Sequence, residues 1–364
     1  KTQNLVKKVS ELKSMSFFKG LGSYFDKVQR MRKLGGMISD ELLISKEKVE
    51  LSASVCKTDL TSDLVGEFPE LQGIMGGYFS TYQGFDKDIS LAITEQYLPV
   101  GLNSKTPKKP FSVALSVTDK IDTLVGFFGI SEKPTSSKDP FALRRVALSI
   151  IRIIIENKKD LKLKSLLNYS SSLYENQRYN FSNIDLQHDL LNFLKDRFKY
   201  YLKEKEIRYD IIEATISSFS LDKLFSNFSR AKSLNKAINN QMGIDIIASY
   251  KRASNILDTE MKNKKIEITN TTDPGIFKSD FEKNLYKKIS EINKYYSEID
   301  NDENYEHSLS VLAASKREVF DFFDNVKVNE ENEILRKNRL ELINMLCKTF
   351  QNFINFQLLK ANNE

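Results

Sequence analysis

The side chains best suited to chemistry in the first third of the chain are carboxylates, but they lack the partners that metal-dependent catalysis needs. A catalytic divalent metal is usually held by carboxylates together with neutral imidazoles. The chain has only two histidines, His188 and His307, so residues 1–187 contain none. The sequence therefore predicts that no metal is bound. The carboxylates that remain as possible ligands are Asp59, Glu67, Glu70, Asp119 and Asp122.

Structural roles account for these acids equally well, because carboxylates cap helices and form ion pairs. Other catalytic signatures are also missing: the sequence has no glycine-rich phosphate loop ending in Lys-Ser or Lys-Thr, no G-x-G-x-x-G motif and no cysteine and histidine cluster. We therefore expect no catalytic residue in this chain. The basic residues expected to pair with the acids are Lys57, Lys120, Arg144 and Arg145.

Helices must position these side chains, and the clearest one contains Asp119 and Asp122. Its apolar residues repeat at helical spacing: Val117, Ile121, Leu124, Val125 and Phe128. This pattern predicts one face of an amphipathic helix that ends at Gly129. Asp139 is then predicted as an N-cap, with Pro140 at the first position of a second helix. Residues 146–155 are almost all apolar, so this second helix should be buried on nearly every side.

The rest of the chain shows helical periodicity without the alternation of strands, which predicts an all-α fold made of a string of helical modules. Residues 157–186 are polar and are predicted to form a connector around a short helix, and Gly35-Gly36 is predicted as a turn. The further predicted helices cover residues 5–18, 24–34, a segment from Pro69, a segment from Leu190, two or more helices within 208–238, and 334–359.

Six short stretches carry a resemblance to a known family. In chain order they are KGLGS (19–23), VGEFPELQGIMG (65–76), EQYLP (95–99), DKIDTLVGFFGI (119–130), KDPFALRR (138–145) and FFDNV (322–326). They occur in the family's order across nearly the whole chain. With them, the chain resembles the β subunit of bacterial heterotetrameric glycyl-tRNA synthetase.

The resemblance implies three regions: a degenerate helical domain of the histidine-aspartate phosphohydrolase (HD) fold over residues 1–160, a helical linker over 161–245, and a DALR-type anticodon-binding helical domain over 246–364. Gln96 stands where many relatives have histidine, which agrees with a lost metal site. The resemblance also implies a non-catalytic subunit that binds tRNA(Gly) and its anticodon within an α2β2 assembly. ATP, Mg²⁺ and glycine would bind to the α subunit, so this chain alone should make no glycyl-adenylate.

Anticodon recognition requires splayed bases that are read by Arg, Asn or Gln and stacked on flat side chains. Arg336 and Arg339 are three residues apart in the last predicted helix and should share a face, with Asn338 between them. A solvated helix face or a salt bridge is the alternative for each. The acids available for such salt bridges are Glu330, Glu331 and Glu333. The other candidate tRNA-binding residues are Lys251, Arg252, Lys316, Arg317 and Asn325.

Charge constrains how the C-terminal region binds RNA. Residues 1–250 carry 37 basic and 29 acidic side chains, and residues 251–364 carry 18 and 20, which is a net charge of −2. Affinity there must come from a local patch. Two cysteines and the lack of a long apolar run predict a soluble cytoplasmic chain without a membrane segment. The first residue is a lysine, and we expect the chain to lack the N-terminal part of the subunit.

Two further hypotheses remain beside tRNA recognition. The first is a degenerate HD-fold scaffold that binds only proteins, and the second is a metal-dependent phosphohydrolase. The missing histidines disfavour the phosphohydrolase. Matching stretches in both halves of the chain favour tRNA recognition over the scaffold.

Overall fold

The computed structural model describes residues 4–101, 103–264, 268, 271–298 and 304–360, and the chain forms two helical units. The first unit comprises Lys1–Tyr201 and Leu221–Phe225, and the second comprises Leu202–Ser220 and Ser226–Glu364. The all-α prediction is confirmed, because the strands of the described residues are limited to the short antiparallel pair β1 (Ser16–Phe18) and β2 (Gly22–Ser23). No helix among the described residues is both long enough and apolar enough to span a membrane.

The described residues of the first unit form ten helices. They are α1 (Leu5–Lys8), α2 (Tyr24–Leu42), α3 (Lys46–Val55), α4 (Asp63–Glu67), α5 (Ile74–Tyr82), α6 (Lys87–Glu95), α7 (Pro110–Gly129), α8 (Leu143–Glu156), α9 (Leu163–Asn176) and α10 (Leu186–Glu204). The last three residues of α10 belong to the second unit. Short 3₁₀ turns lie at Val9–Ser14, Thr58–Thr61, Pro69–Leu71 and Leu221–Lys223.

The central helix of the first unit is α7, and its predicted apolar face is confirmed. All five apolar residues of that face are buried, and the helix ends at Gly129 as predicted. It packs against α2, α3, α6, α8 and α9, so even its polar residues lie inside the unit. The helix begins earlier than the apolar repeat suggested, at Pro110, where the missing N–H of proline is harmless.

The predicted turn at Gly35-Gly36 is wrong, because α2 runs through both glycines. A Cβ atom at Gly35 would lie 3.0 Å from Cγ1 of Val49, and one at Gly36 would lie 3.0 Å from Cε of Lys46. The glycines therefore allow α3 to pack closely on α2. The sequence does not show which helix packs against this one, and a glycine pair by itself is more typical of a turn.

Two other predicted helices are also partly wrong. Residues 5–18 form α1, a 3₁₀ turn and β1 instead of one helix. Pro69 begins only a 3₁₀ turn, and α5 starts at Ile74. On α5 the apolar side chains of Ile74 and Tyr78 are exposed. In each case a 3₁₀ segment stands where the periodicity predicted α-helix, and the apolar spacing does not distinguish the two.

The first residue of α8 differs from the prediction, but the predicted capping residue is confirmed. The helix begins at Leu143 instead of Pro140, and Ala142 takes a left-handed conformation at the N-cap. Asp139 still caps the helix, because its carboxylate accepts hydrogen bonds from the backbone N–H groups of Leu143 (2.8 Å) and Arg144 (3.0 Å).

Residues 161–201, which the sequence analysis assigns to a linker, lie within the first unit. Their helix α9 is fourteen residues long, so the prediction of a short helix in a connector was wrong. α9 packs on α7 and α2 and buries Leu166, Leu167 and Tyr174. The serines and asparagines around these residues lower the mean hydropathy and hide the apolar stripe.

The second unit contains the remaining helices. They are α11 (Tyr209–Ser217), α12 (Leu224–Ala237), α13 (Gln241–Lys264), α14 (Asp280–Glu298), α15 (Tyr305–Ala313), α16 (Lys316–Asn325) and α17 (Glu333–Gln351). Helix α17 packs against α13 and against α14, and α15 and α16 also contact both of these helices. The last helix is shorter than predicted, because it ends at Gln351 and a 3₁₀ turn follows at Phe356–Leu358.

Each unit contains one cysteine, and neither forms a disulfide. Cys56 is fully buried in the first unit and Cys347 is 5% exposed in the second. Burial raises the pKa of both thiols to about 12. Both side chains therefore stay in the neutral thiol form in the folded protein.

Candidate functional site

The carboxylate of Asp122 on α7 is the centre of a buried ion network in the first unit. Nε and Nη2 of Arg30 donate to its two oxygens at 2.7 and 3.2 Å, and Nζ of Lys27 donates to Oδ2 at 3.0 Å. Lys27, Arg30 and Asp122 are each no more than 2% exposed. Such a fork between guanidinium and carboxylate is among the stronger polar contacts in proteins.

The neighbouring acid, Asp119, is held by two lysines. Nζ of Lys27 lies 3.0 Å from its Oδ1, and Nζ of Lys57 lies 3.2 Å from its Oδ2. Lys57 also donates to the hydroxyl of Tyr97 at 2.8 Å. Lys27 thus bridges both aspartates of α7, which explains how two acids three residues apart are buried in one helix.

Helix α9 completes the network through Tyr174, which is fully buried. Its hydroxyl accepts from Nη2 of Arg30 (3.0 Å) and donates to the carbonyl oxygen of Asp122 (3.0 Å). A Cβ atom at Gly126 would lie 2.3 Å from this hydroxyl, so only glycine fits there. Gln177 accepts from Nη1 of Arg30 at 2.7 Å.

The charge states follow from these contacts. Burial alone would raise the pKa of both aspartates, but the neighbouring ammonium and guanidinium groups lower the pKa of Asp119 well below its usual range and also lower that of Asp122. Burial would lower the pKa of Arg30 and Lys57, but Asp122 and Asp119 respectively raise it. These four groups are therefore charged at neutral pH.

Lys120 differs from its neighbours. It is buried, and its Nζ donates to Oγ of Ser116 (2.7 Å) and to the carbonyl oxygen of Gln96 (3.3 Å). Burial lowers its pKa to about 7, and the attraction of Asp119 only partly opposes this shift. Lys27 and Lys57 lie near it and add repulsion. Lys120 is thus the basic group of this network that titrates near physiological pH.

We expect Lys120→Met to stabilise the protein most at low pH. Below about pH 7 the folded parent must keep a buried charge on Lys120, and as pH rises toward 10.5 only the unfolded chain still binds that proton. The stability contributed at this position therefore rises with pH. Urea unfolding between pH 6 and pH 10 should show the advantage of the variant shrinking as pH rises. A difference that is constant with pH would contradict the lowered pKa.

The other predicted metal-ligand candidates have separate places. Asp59 is buried, and its Oδ2 accepts from the backbone N–H groups of Gly73 (2.6 Å) and Gly76 (3.1 Å), so it caps α5. Burial raises its pKa despite these bonds. Glu67 and Glu70 are exposed. The predicted structural role is confirmed for Asp59 as a cap and for Asp119 as the partner of Lys57.

A metal ion does not fit the residues present. Asp119 and Asp122 already bind ammonium or guanidinium groups, whose charges would repel a divalent cation from the same carboxylates. Gln96 is fully buried and its amide nitrogen donates to the carbonyl oxygens of Cys56 and Ile93. Within the described ranges, no three His, Cys, Asp or Glu side chains are grouped closely enough to hold a metal.

In the second unit, two of the predicted RNA-binding residues are buried. Arg339 donates to Oε1 of Glu282 (2.9 Å), to the carbonyl oxygen of Lys327 (2.8 Å) and to Glu330 (3.4 Å). Asn338 forms two hydrogen bonds with the backbone of Asp273, at 2.8 and 2.9 Å. Neither side chain lies at the surface, because each satisfies a polar group of the same unit.

Arg336 is also largely covered, with 11% of its side chain exposed and Glu333 at 3.8 Å. Arg336 therefore has the salt bridge that was predicted as the alternative to RNA contact. Arg252 lies between the rings of Phe320 and Phe323, at 5.3 and 5.2 Å, and donates to Asp324 at 2.6 Å. One third of its side chain remains exposed.

The remaining candidates lie on or near α16. Lys316 pairs with Asp245 at 2.9 Å, and Arg317 is 87% exposed and lies 3.5 Å from Asp321. Asn325 is exposed at the end of α16. Lys251 is half-buried on α13 and has contacts within the chain. The structure therefore separates the predicted set: Lys316, Arg317 and Asn325 share α16, whereas the α17 residues are mostly covered.

A groove between α14 and α16 adds residues that the sequence analysis missed. It encloses about 430 Å³ and has an exposed aromatic ring, an exposed amide and three basic side chains along its walls. Their signal was present in the sequence, since residues 281, 284, 287, 288 and 291 repeat on one face of α14. The lining residues are Phe281, Asn284, Lys287, Lys288, Glu291, Arg317, Glu318 and Asp321.

Comparisons with known proteins match two family models to consecutive parts of the chain. The model of the family described as glycyl-tRNA synthetase beta subunit matches residues 1–217, and that of the DALR anticodon binding domain matches residues 246–361. A glycine–tRNA ligase beta subunit of Rickettsia canadensis is 35% identical over 98% of this chain and 51% of its own length. Those of Cereibacter sphaeroides (34% identical, 96% of this chain, 50% of the relative) and Paracoccus denitrificans (34%, 92%, 47%) are similar. The chain spans about half the length of the curated relatives it matches.

Proposed function

The chain belongs to the glycyl-tRNA synthetase β-subunit family, and from this premise we propose that it is the tRNA-recognition part of a glycine–tRNA ligase. The observation that carries the proposal is the groove between α14 and α16, within the region that matches the anticodon-binding domain. The relatives are named glycine–tRNA ligase beta subunits. The substrate proposed is therefore tRNA(Gly).

The groove has the side chains that single-stranded RNA requires. Phe281 is 37% exposed and offers a ring on which a base can stack. Asn284 is exposed beside it and can donate to and accept from a base edge. Lys287 and Arg317 supply positive charge for the phosphates. Glu291, Glu318 and Asp321 balance the three basic side chains of the groove, so placed contacts must dominate over a general attraction.

The proposal extends to the whole enzyme. We propose that an α subunit, in an α2β2 assembly, binds ATP, Mg²⁺ and glycine and carries out aminoacylation in the cytoplasm. This chain would contribute tRNA binding and no catalytic residue. The ion network of the first unit supports the non-catalytic part, since its carboxylates are already paired with buried cations.

Alanine at Lys287 or Arg317 should weaken the binding of tRNA(Gly). A contact directed to a base should cost about 1–3 kcal/mol and should matter less for a tRNA with a changed anticodon. A contact directed to a phosphate should weaken both tRNAs alike and reduce the slope of log affinity against log salt by about one. Filter binding of both tRNAs at several stated salt concentrations distinguishes these outcomes.

Lys283→Ala is the matched control. Lys283 lies on the same helix, carries the same charge and is exposed, but it pairs with Asp280 and does not line the groove. It should change affinity much less than Lys287→Ala. Equal effects of the two lysine variants would place RNA elsewhere on the unit, and no binding of any tRNA would favour a scaffold that contacts only proteins.

A further inference from the structure

A second cavity, of about 450 Å³, opens beside the ion network of the first unit, at the junction of α7 and α8. Its volume lies within the range of small-molecule sites, roughly 300–1,000 Å³. The cavity is lined by residues of several elements, so its shape depends on the fold of the whole unit. The lining includes the side chains of Lys57, Gln72, Tyr97, Lys120 and Arg145 and the aromatic rings of Phe17 and Tyr24.

Hydrogen-bond donors with unused capacity converge on this cavity. An ammonium group has three N–H donors, and within the described residues Lys57 and Lys120 each use two. The amide nitrogen of Gln72 is buried and has no partner in the described part of the chain. Arg145 is exposed at the cavity, and no described residue pairs with its guanidinium.

The charge of the lining also favours an anion. Four basic side chains line the cavity, namely those of Lys27, Lys57, Lys120 and Arg145, against the single carboxylate of Asp119. Asp119 is neutralised by Lys27 and Lys57. Lys120 and Arg145 therefore remain for a ligand. An oxyanion with several acceptor atoms satisfies donors that come from different directions.

We propose that this cavity binds the phosphate group of a nucleotide, with the base against the aromatic wall formed by Phe17, Tyr24 and Tyr97. Each of these residues is partly exposed, and Lys27 and Lys57 lie over one face of Phe17 and Tyr97, at 4.4 and 4.2 Å from the ring centroids. The other faces remain for a base, and stacking on such rings does not depend on base identity. Lys120 and Arg145 contact the phosphate, and Gln72 donates a neutral hydrogen bond. This site lies in the first unit and does not depend on tRNA binding by the α14–α16 groove.

Isothermal titration calorimetry of the full chain with AMP, adenosine and inorganic phosphate tests the proposal. AMP should bind at least tenfold more tightly than adenosine, because adenosine lacks the charged acceptor. A triribonucleotide without a terminal phosphate identifies the source of the phosphate. Tighter binding of this trinucleotide than of AMP would indicate an RNA chain, and weaker binding would indicate a free nucleotide.

Arg145→Ala should weaken AMP binding about tenfold, the effect of losing one charge-assisted contact. Arg144→Ala is the matched control, because Arg144 is the adjacent arginine on α8 and does not line the cavity. Lys120→Met is a second variant and should also weaken AMP binding. Equal affinities of the parent and Arg145→Ala, equal affinities for AMP and adenosine, or no heat from AMP at millimolar concentration would each overturn the proposal.

Discussion

Replacing Asp122 with alanine should lower the free energy of unfolding by about 3–5 kcal/mol, the cost of leaving a buried charge without its partner. The carboxylate is fully buried and is the shared acceptor of Lys27 and Arg30. Without it, both cations stay inside the unit, and Tyr174 loses a neighbour that holds its hydroxyl in place. Urea unfolding followed by circular dichroism measures the loss.

Two controls separate burial from charge. Asp86→Asn removes the charge from an ion pair with Lys48 in which both side chains are more than one third exposed, and it keeps a side-chain oxygen for the N-cap of α6, so it should cost less than about 1 kcal/mol. The triple change Lys27→Met, Arg30→Met and Asp122→Leu replaces the part of the network around Asp122 with apolar side chains and leaves Asp119 paired with Lys57. It should recover most of the stability lost in Asp122→Ala. An Asp122→Ala protein as stable as Asp86→Asn would contradict the buried network.

Replacing Arg339 with alanine should destabilise the second unit by about 3–5 kcal/mol. Glu282 would keep a buried carboxylate without the guanidinium that lies 2.9 Å away in the parent. The pKa of Glu282 is low because Arg339 and the N–H groups of Ser279 and Lys278 outweigh the effect of burial. Protonation of Glu282 would limit the loss, so the destabilisation should be largest at neutral pH and smaller near pH 4.

Arg317→Ala is the control for this variant, since Arg317 is almost fully exposed and its loss should change stability by less than about 0.5 kcal/mol. The two variants should also differ in RNA binding. Arg339→Ala should lose tRNA affinity only under conditions where the unit unfolds, whereas Arg317→Ala should lose affinity while folded. A folded Arg339→Ala protein of normal stability that no longer binds tRNA would show that Arg339 contacts RNA directly.

The position of Arg339 could have been predicted more fully from the sequence. It lies four residues after Leu335, three before Leu342 and seven before Leu346, within the apolar stripe of α17. A charged residue in such a stripe needs a buried partner. The partner, Glu282, is 57 residues away in the sequence. Which residue becomes the partner depends on how α14 packs against α17, and periodicity does not determine that packing.

The burial of Lys27 and Arg30 was also not predicted, although, as for Arg339, the sequence signalled it. Both share the helical stripe of Met31, Leu34 and Ile38 on α2, so their burial was signalled by spacing. By contrast, the apolar face of α7 was predicted correctly, because every residue needed for it lies within twelve positions. Local repeats reveal which side of a helix is buried, but pairing between distant charges depends on tertiary packing.

Because both cysteines are buried, the folded protein should not react with thiol reagents. Alkylation requires the thiolate, and burial suppresses both access and ionisation at Cys56 and Cys347. Since one cysteine lies in each unit, the labelling rate of each residue reports how often its own unit opens. Peptide mapping after timed alkylation would thus give separate opening rates for the two units within one intact chain, without any added probe. Asp122→Ala should accelerate the labelling of Cys56, and Arg339→Ala should accelerate that of Cys347.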